Sequence, residues 1–124
     1  MGYTVYDSDR LKNAVSAWFK KRHGWDIDTS WIFFSPGIVT AFSLLINTLT
    51  EEGDGVIIQK PVYNPFTGRI EGNKRVVANN ALIRQGARYV MDFEDLEKKF
   101  ADPKNKGLIF CSPQAARPPK HRRR

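Results

Sequence analysis

Apolar residues along this chain follow two alternating patterns. In the first, they recur every three or four positions, as on one face of an α-helix. Segments of this kind lie at residues 11–22, 38–50, 66–72 and 93–101. In the second, three or four apolar residues follow one another directly, which is typical of a strand buried on both faces of a parallel sheet. Such runs lie at residues 31–34, 56–58, 75–78 and 108–111.

Polar and glycine residues between these segments mark their ends. Ser8 or Asp7 is placed to cap the first helix, and Asp92 to cap the last. Residues 81–90 alternate around Gly86, which predicts a hairpin. Because short apolar strands alternate with helices, the sequence predicts an α/β fold in which a partial, mostly parallel sheet has flanking helices.

The composition argues against a disordered, membrane-spanning or secreted protein. With 41% hydrophobic and 27% charged residues, the chain has enough apolar material for a packed core. No apolar run approaches the roughly 20 residues of a membrane span, so we expect no membrane partner. The N-terminus lacks the apolar core of a secretory signal. Cys111 is the single cysteine, which fits a reducing compartment and a cytoplasmic location.

The net charge of +7 is concentrated at the C-terminus. Residues 117–124 carry five basic side chains and no acidic one, while the remaining 15 basic and 13 acidic residues nearly balance. We therefore expect residues 115–124 to form a disordered basic tail rather than a face for nucleic acid. The tail leaves one alternative open, in which the chain is a small non-catalytic module that binds polyanions.

Two positions are candidates for ligand binding on physical grounds. Ser35-Pro36-Gly37 lies between a predicted strand and a predicted helix, where free backbone N–H groups and the helix dipole suit a phosphate. Tyr63 lies between two prolines directly after a strand, where its ring can stack on a flat ligand. His23, His121 and Cys111 do not have the spacing of metal ligands, so no metal site is predicted.

A series of short motifs occurs in a characteristic order. They are Gly2-Tyr3-Thr4, Arg22-His23-Gly24-Trp25, Ser35-Pro36-Gly37-Ile38-Val39-Thr40-Ala41, Lys60-Pro61-Val62-Tyr63-Asn64-Pro65, Met91-Asp92-Phe93-Glu94 and Cys111-Ser112-Pro113-Gln114. This order resembles the pyridoxal-phosphate-dependent class I/II aminotransferases, most of all their cystathionine β-lyase-like branch of carbon–sulfur β-lyases. The resemblance implies that residues 1–114 are part of the large domain of the fold type I transferases.

The resemblance also implies a cofactor, a substrate class and an assembly. Members of this family bind pyridoxal 5′-phosphate, act on amino acids as small-molecule substrates and form homodimers. The lyase branch cleaves the C–S bond of cystathionine or related cysteine S-conjugates to give pyruvate, ammonia and a thiol. A nucleic acid partner is not expected.

Five residues match cofactor-binding positions of the family. Gly37, Ile38 and Val39 match the turn whose backbone N–H groups hold the cofactor phosphate. Tyr63 matches the aromatic residue that stacks on the pyridine ring. Tyr3 matches the tyrosine that reaches the phosphate in the partner subunit.

The catalytic positions of the family have no match in this chain. Ala115 stands where the family has the asparagine that contacts the ring hydroxyl, and no residue here matches the lysine that binds the cofactor covalently. The resemblance therefore implies a truncated lyase or aminotransferase, with no catalytic residue in this chain and no activity on its own. A further alternative is that the chain acts by assembling with a full-length relative.

Overall fold

A computed structural model describes residues 8–112. The described residues fall into two compact units, with the division between Gly37 and Ile38. The candidate residue Tyr3 and the tail from residue 115 onward lie outside the described residues. The proposed domain boundary after residue 114 lies outside them too and stays a prediction.

The first unit is built on helix α1, Asp9–His23, which confirms the first predicted helix. Of the two candidate caps, Ser8 is the one the structure shows: its side chain accepts a hydrogen bond from the Leu11 N–H. At the other end Gly24 takes a left-handed conformation, with φ of 65°, and donates its N–H to the Lys20 carbonyl oxygen. His23 lies in the last turn, where its ring contacts those of Trp18 and Phe19.

The strand predicted over residues 31–34 is wrong. Trp31 instead closes a 3-10 turn, Thr29–Trp31, because the Asp28 side chain accepts a hydrogen bond from the Ser30 N–H and caps this turn. Phe33 is 87% exposed. None of the strands between residues 8 and 112 pairs with this segment. An apolar run becomes a strand only where another strand takes up its backbone hydrogen bonds.

The second unit contains three helices and five strands among its described residues. In chain order they are helix α2 (Ile38–Leu49), strand β1 (Gly55–Ile58), helix α3 (Pro65–Gly72), strand β2 (Val76–Asn79), strand β3 (Ile83–Gln85), strand β4 (Arg88–Val90), helix α4 (Phe93–Ala101) and strand β5 (Asn105–Leu108). Asp92 caps α4 by accepting a hydrogen bond from the Asp95 N–H. These bounds confirm the predicted helices at 38–50, 66–72 and 93–101.

The strands form a parallel sheet and a separate hairpin. The order β2-β1-β5 gives a three-stranded sheet in which both neighbours of β1 run parallel to it. Strands β3 and β4 pair antiparallel, and Gly86 between them has a φ of 58°. The mostly parallel sheet and the hairpin are both confirmed.

The last strand begins earlier than predicted. The sequence places it at residues 108–111, whereas β5 covers Asn105–Leu108, because pairing begins opposite Gly55 at the start of β1. The Ile109 N–H still donates to the Ile57 carbonyl oxygen at 2.9 Å. Ile109 and Cys111 then pack against the core, so this apolar run marks a core contact more than a strand.

The core of this unit lies between β1 and the helices α2 and α3. Val56 and Ile58 point to the same face of the central strand and meet Ile46 of α2 and Phe66 and Ile70 of α3. Ile57 points to the other face and is fully buried. Between residues 8 and 112, no helix is both long enough and apolar enough to cross a membrane.

Candidate functional site

The turn before α2 depends on the backbone freedom of a glycine. Gly37 ends the first unit with a φ of 97°, a conformation that side chains with a Cβ rarely adopt. Its N–H donates to the Ser35 carbonyl oxygen at 2.7 Å, and the Ser35 hydroxyl donates to the Gly37 carbonyl oxygen at 3.3 Å. A Cβ at Gly37 would meet no atom within 4 Å, so the constraint is the dihedral angle and not the space.

The start of α2 has backbone donors without an acceptor inside the helix. The first N–H groups of any helix have no acceptor within the helix, and in α2 they belong to Ile38, Val39 and the residue after them. Ile38, the first residue of the helix, is 70% exposed. The first turn contains no acidic residue, which leaves the positive end of the dipole uncompensated. This end of α2 is therefore suited to an anion.

Tyr63 lies in the loop between β1 and α3 and keeps half of its surface exposed. Its ring makes an edge-to-face contact with Phe66, with ring centroids 5.5 Å apart. Phe66 is buried and makes a second edge-to-face contact, at 4.9 Å, with Phe42 of α2. The Tyr63 ring is thus supported from the core side while part of it stays accessible to a ligand.

These contacts link Tyr63 to the helix that carries the candidate anion site. Phe42 lies one helical turn after Ile38, and the line Phe42–Phe66–Tyr63 runs from α2 to the loop within the second unit. Ile38, Val39 and Tyr63 therefore belong to one packed unit.

A buried polar network, to which the sequence analysis assigns no role, lies next to this loop. Asn80 directly follows β2 and is fully buried. Its side chain accepts a hydrogen bond from Gln59 Nε2 at 2.9 Å. It donates to the Asp92 carbonyl oxygen at 2.9 Å and to Asp95 Oδ2 at 2.8 Å. The signal was available, since polar residues that directly follow parallel strands meet at one edge of the sheet.

The network perturbs the ionisation of one carboxylate. The Asn80 amide and the Lys99 ammonium group, which lies 3.1 Å from Asp95, hold the pKa of the Asp95 carboxyl below its ordinary value of 3.8. Asp95 therefore accepts the Asn80 hydrogen bond as a carboxylate at neutral pH.

The described residues offer no candidate metal site. Between residues 8 and 112, no group of three or more His, Cys, Asp or Glu side chains is arranged to hold a metal ion. Cys111 is half-buried beside the core.

The amino-acid sequence of this chain is similar to those of two bacterial proteins. Over 112 residues the chain is 45% identical to the cystathionine β-lyase PatB of Bacillus subtilis, covering 90% of this chain and 29% of that protein. It is 35% identical to the protein MalY of Escherichia coli, covering 91% of this chain and 29% of that protein. The chain thus spans less than a third of the length of these relatives.

Solved structures agree with this fold. Cystalysin from Treponema denticola, whose crystal structure contains pyridoxal 5′-phosphate, superposes with a TM-score of 0.86 at 41% identity. The match covers 93% of this chain and 29% of cystalysin. A C–S lyase from Staphylococcus hominis gives a TM-score of 0.84 at 30% identity, over 93% of this chain and 29% of that one. These matches confirm the predicted fold class, part of a fold type I transferase. The family model for aminotransferase class I and II matches residues 1–116, and the chain therefore belongs to that family.

Proposed function

We propose that this chain supplies the phosphate-binding turn and the ring-stacking tyrosine of a pyridoxal-phosphate-dependent carbon–sulfur β-lyase. The observation that carries the proposal is structural. One packed unit holds a helix start without acidic residues and a half-exposed tyrosine, joined through Phe42 and Phe66. The named lyases among the relatives, PatB and the S. hominis enzyme, support the reaction class.

The residues present fit the two ends of the cofactor. Ile38 and Val39 would donate backbone N–H groups to the phosphate oxygens, aided by the dipole of α2. Gly37 sets the backbone direction into the helix, since its own N–H is already bound to Ser35. The exposed part of the Tyr63 ring would stack on the pyridine. When bound, the cofactor withdraws electrons from the substrate's α-carbon.

The substrate follows from the same reasoning. We propose cystathionine or a related cysteine S-conjugate, with cleavage of its C–S bond to pyruvate, ammonia and a thiol. Within this chain we assign cofactor binding and no proton transfer, because no residue matches the family's covalent lysine. Tyr3 as a phosphate contact in a partner subunit, a homodimer, a cytoplasmic location and a domain over residues 1–114 stay predictions.

Equilibrium dialysis of the 124-residue chain against pyridoxal phosphate tests the proposal. We expect a Kd of about 0.1 mM or weaker, since a few noncovalent contacts and no covalent bond hold the ligand. Inorganic phosphate should compete. Tyr63→Ala should weaken binding about fivefold. Phe100→Ala, which removes a ring that is 57% exposed on α4, is the matched control and should leave binding unchanged.

Two results would contradict the proposal. In the first, neither phosphate nor Tyr63→Ala affects binding. In the second, the chain has a tight site that disappears when a single lysine, such as Lys60, is replaced.

A further inference from the structure

The loop that carries Tyr63 is attached to a buried polar network at its first residues. Gln59 is the last residue before this loop, is buried, and donates from Nε2 to Asn80 Oδ1. The next residue, Lys60, donates its N–H to Asn79 Oδ1 at 3.1 Å and accepts at its carbonyl oxygen the Leu82 N–H at 2.8 Å. Three hydrogen bonds thus tie the start of the loop to residues 79–82.

Asn80 connects this attachment to two further elements. Its backbone N–H donates to the Ile58 carbonyl oxygen at the end of β1, at 2.9 Å. Its side-chain N–H groups donate to Asp92 and Asp95 at the start of α4. Both donors and the acceptor of this amide are therefore used. The hydrogen bonds have fixed directions, so they set the position of the end of β1 relative to α4.

The loop transmits this position to Tyr63 because it is short and restrained. Three residues separate Gln59 from Tyr63 along the chain, and Pro61 among them has a fixed φ. The far end of the loop enters α3 at Pro65, where the next residue, Phe66, is buried in the core. Because the loop is short and restrained at both ends, a displacement of Gln59 also displaces the tyrosine ring.

We propose that Asn80 is a positioning residue for Tyr63, acting through Gln59 to hold the tyrosine ring where it can stack on the cofactor. This inference rests on the proposed function for its ligand, but the position of the ring can be measured without any ligand. An apolar residue of similar volume could fill the same space, but it could not orient three elements through directed bonds.

The principal variant is Asn80→Asp, which keeps the shape of the side chain and replaces its NH₂ with an oxygen. That oxygen would face the Asp92 carbonyl and the Asp95 carboxylate, both of them acceptors. Gln59→Met is the second variant, since it removes the Gln59 donor while keeping the Asn80 bonds to α4. Asn73→Asp is the matched control, because Asn73 also donates a side-chain hydrogen bond, to the Arg69 carbonyl, but at the end of α3.

The first measurement is fluorine NMR of the ligand-free chain labelled with 3-fluorotyrosine. The chain has four tyrosines, and Tyr63→Phe identifies the signal of interest. We expect Asn80→Asp or Gln59→Met to move the Tyr63 signal toward that of free fluorotyrosine, because the contact with the Phe66 ring is lost. The signal should stay in place in Asn73→Asp. Circular dichroism shows whether each variant is folded, and Gln59→Met replaces Asn80→Asp if the latter is not.

The second measurement compares two ligands. In either network variant, affinity for pyridoxal phosphate should fall about fivefold, the factor contributed by one stacking contact, and should not fall further when Tyr63→Ala is added. Affinity for inorganic phosphate should not change. A folded variant with an unmoved Tyr63 signal would overturn the inference, and so would an equal loss of affinity for both ligands. If the parent chain binds no pyridoxal phosphate, the proposed function has failed, and the fluorine signal alone decides the role of Asn80.

Discussion

Replacing Phe66 with leucine should weaken the second unit more than its small change in volume suggests. Phe66 is 7% exposed and makes edge-to-face contacts with both Phe42 and Tyr63. Each such contact contributes about 0.5 to 1.5 kcal/mol beyond area burial, with the half-exposed Tyr63 pair at the lower end. The smaller side chain also leaves a gap in the core, which costs about 1 kcal/mol. We expect a loss of about 2 to 3 kcal/mol in the free energy of unfolding.

The assay must report on the correct unit. All three tryptophans precede Gly37 and lie in the first unit, so their fluorescence is not suitable. Hydrogen exchange of the β1 amides, recorded at increasing urea concentrations, measures the free energy of unfolding of the second unit directly. Phe100→Leu on α4 is the control, since this exposed ring should cost less than about 0.5 kcal/mol. If the losses of unfolding free energy in Phe66→Leu and Phe100→Leu agree within about 0.5 kcal/mol, the ring contacts of Phe66 with Phe42 and Tyr63 do not stabilise the site as described.

Three further predictions concern the backbone, the pH dependence and catalysis. Gly37→Ala should destabilise the chain in urea unfolding by about 1 to 2 kcal/mol, because residues with a Cβ disfavour a positive φ. The control Gly68→Ala lies inside α3 with open space around it and should be neutral or stabilising. Equal effects of the two substitutions would refute this prediction. Asn80 and Lys99 lower the pKa of Asp95 in the folded chain, so the ionised Asp95 carboxylate stabilises the fold. This contribution to the free energy of unfolding is fully present above pH 3.8 and is lost as the pH falls through the folded-state pKa. Asp95→Asn should remove this part of the acid-induced loss in urea midpoints, and an unchanged acid limb would contradict it. The 124-residue chain should release no pyruvate from cystathionine with pyridoxal phosphate, and turnover near a typical 10 per second would show catalytic groups we have not identified.

The helices could be predicted from the sequence because local residues determine them. Ser8 and Asp92 each cap a helix with their own side chain, and Gly24 ends α1 in a left-handed conformation. The α2 segment is apolar enough to pack against β1 whatever its exact surroundings. Local pattern and tertiary structure therefore agree in these elements.

The errors arose where the outcome depends on distant residues. The run 31–34 has the composition of a buried strand, but backbone pairing decides whether a strand forms. β5 begins before the predicted strand because its pairing with β1 begins opposite Gly55, which is far away in the sequence. The role of Asn80 depends on Gln59 and on α4, which come together only in the fold. For the site, sequence reasoning found Tyr63, while its support by Phe66 and Phe42 became visible only in the structure.

The most direct test of the cofactor site is an NMR titration of the nitrogen-15-labelled 124-residue chain with pyridoxal phosphate and, separately, with inorganic phosphate. We expect both ligands to shift the backbone amides of Ile38 and Val39, and only pyridoxal phosphate to shift the amides around Tyr63 as well. The contrary result is that Ile38 and Val39 do not move while the largest shifts occur at a second cleft, between α4 and the sheet, whose lining includes Lys98, Lys99 and Lys104 together with Asp102. That result would show that the anion binds elsewhere and that the start of α2 is not the phosphate site.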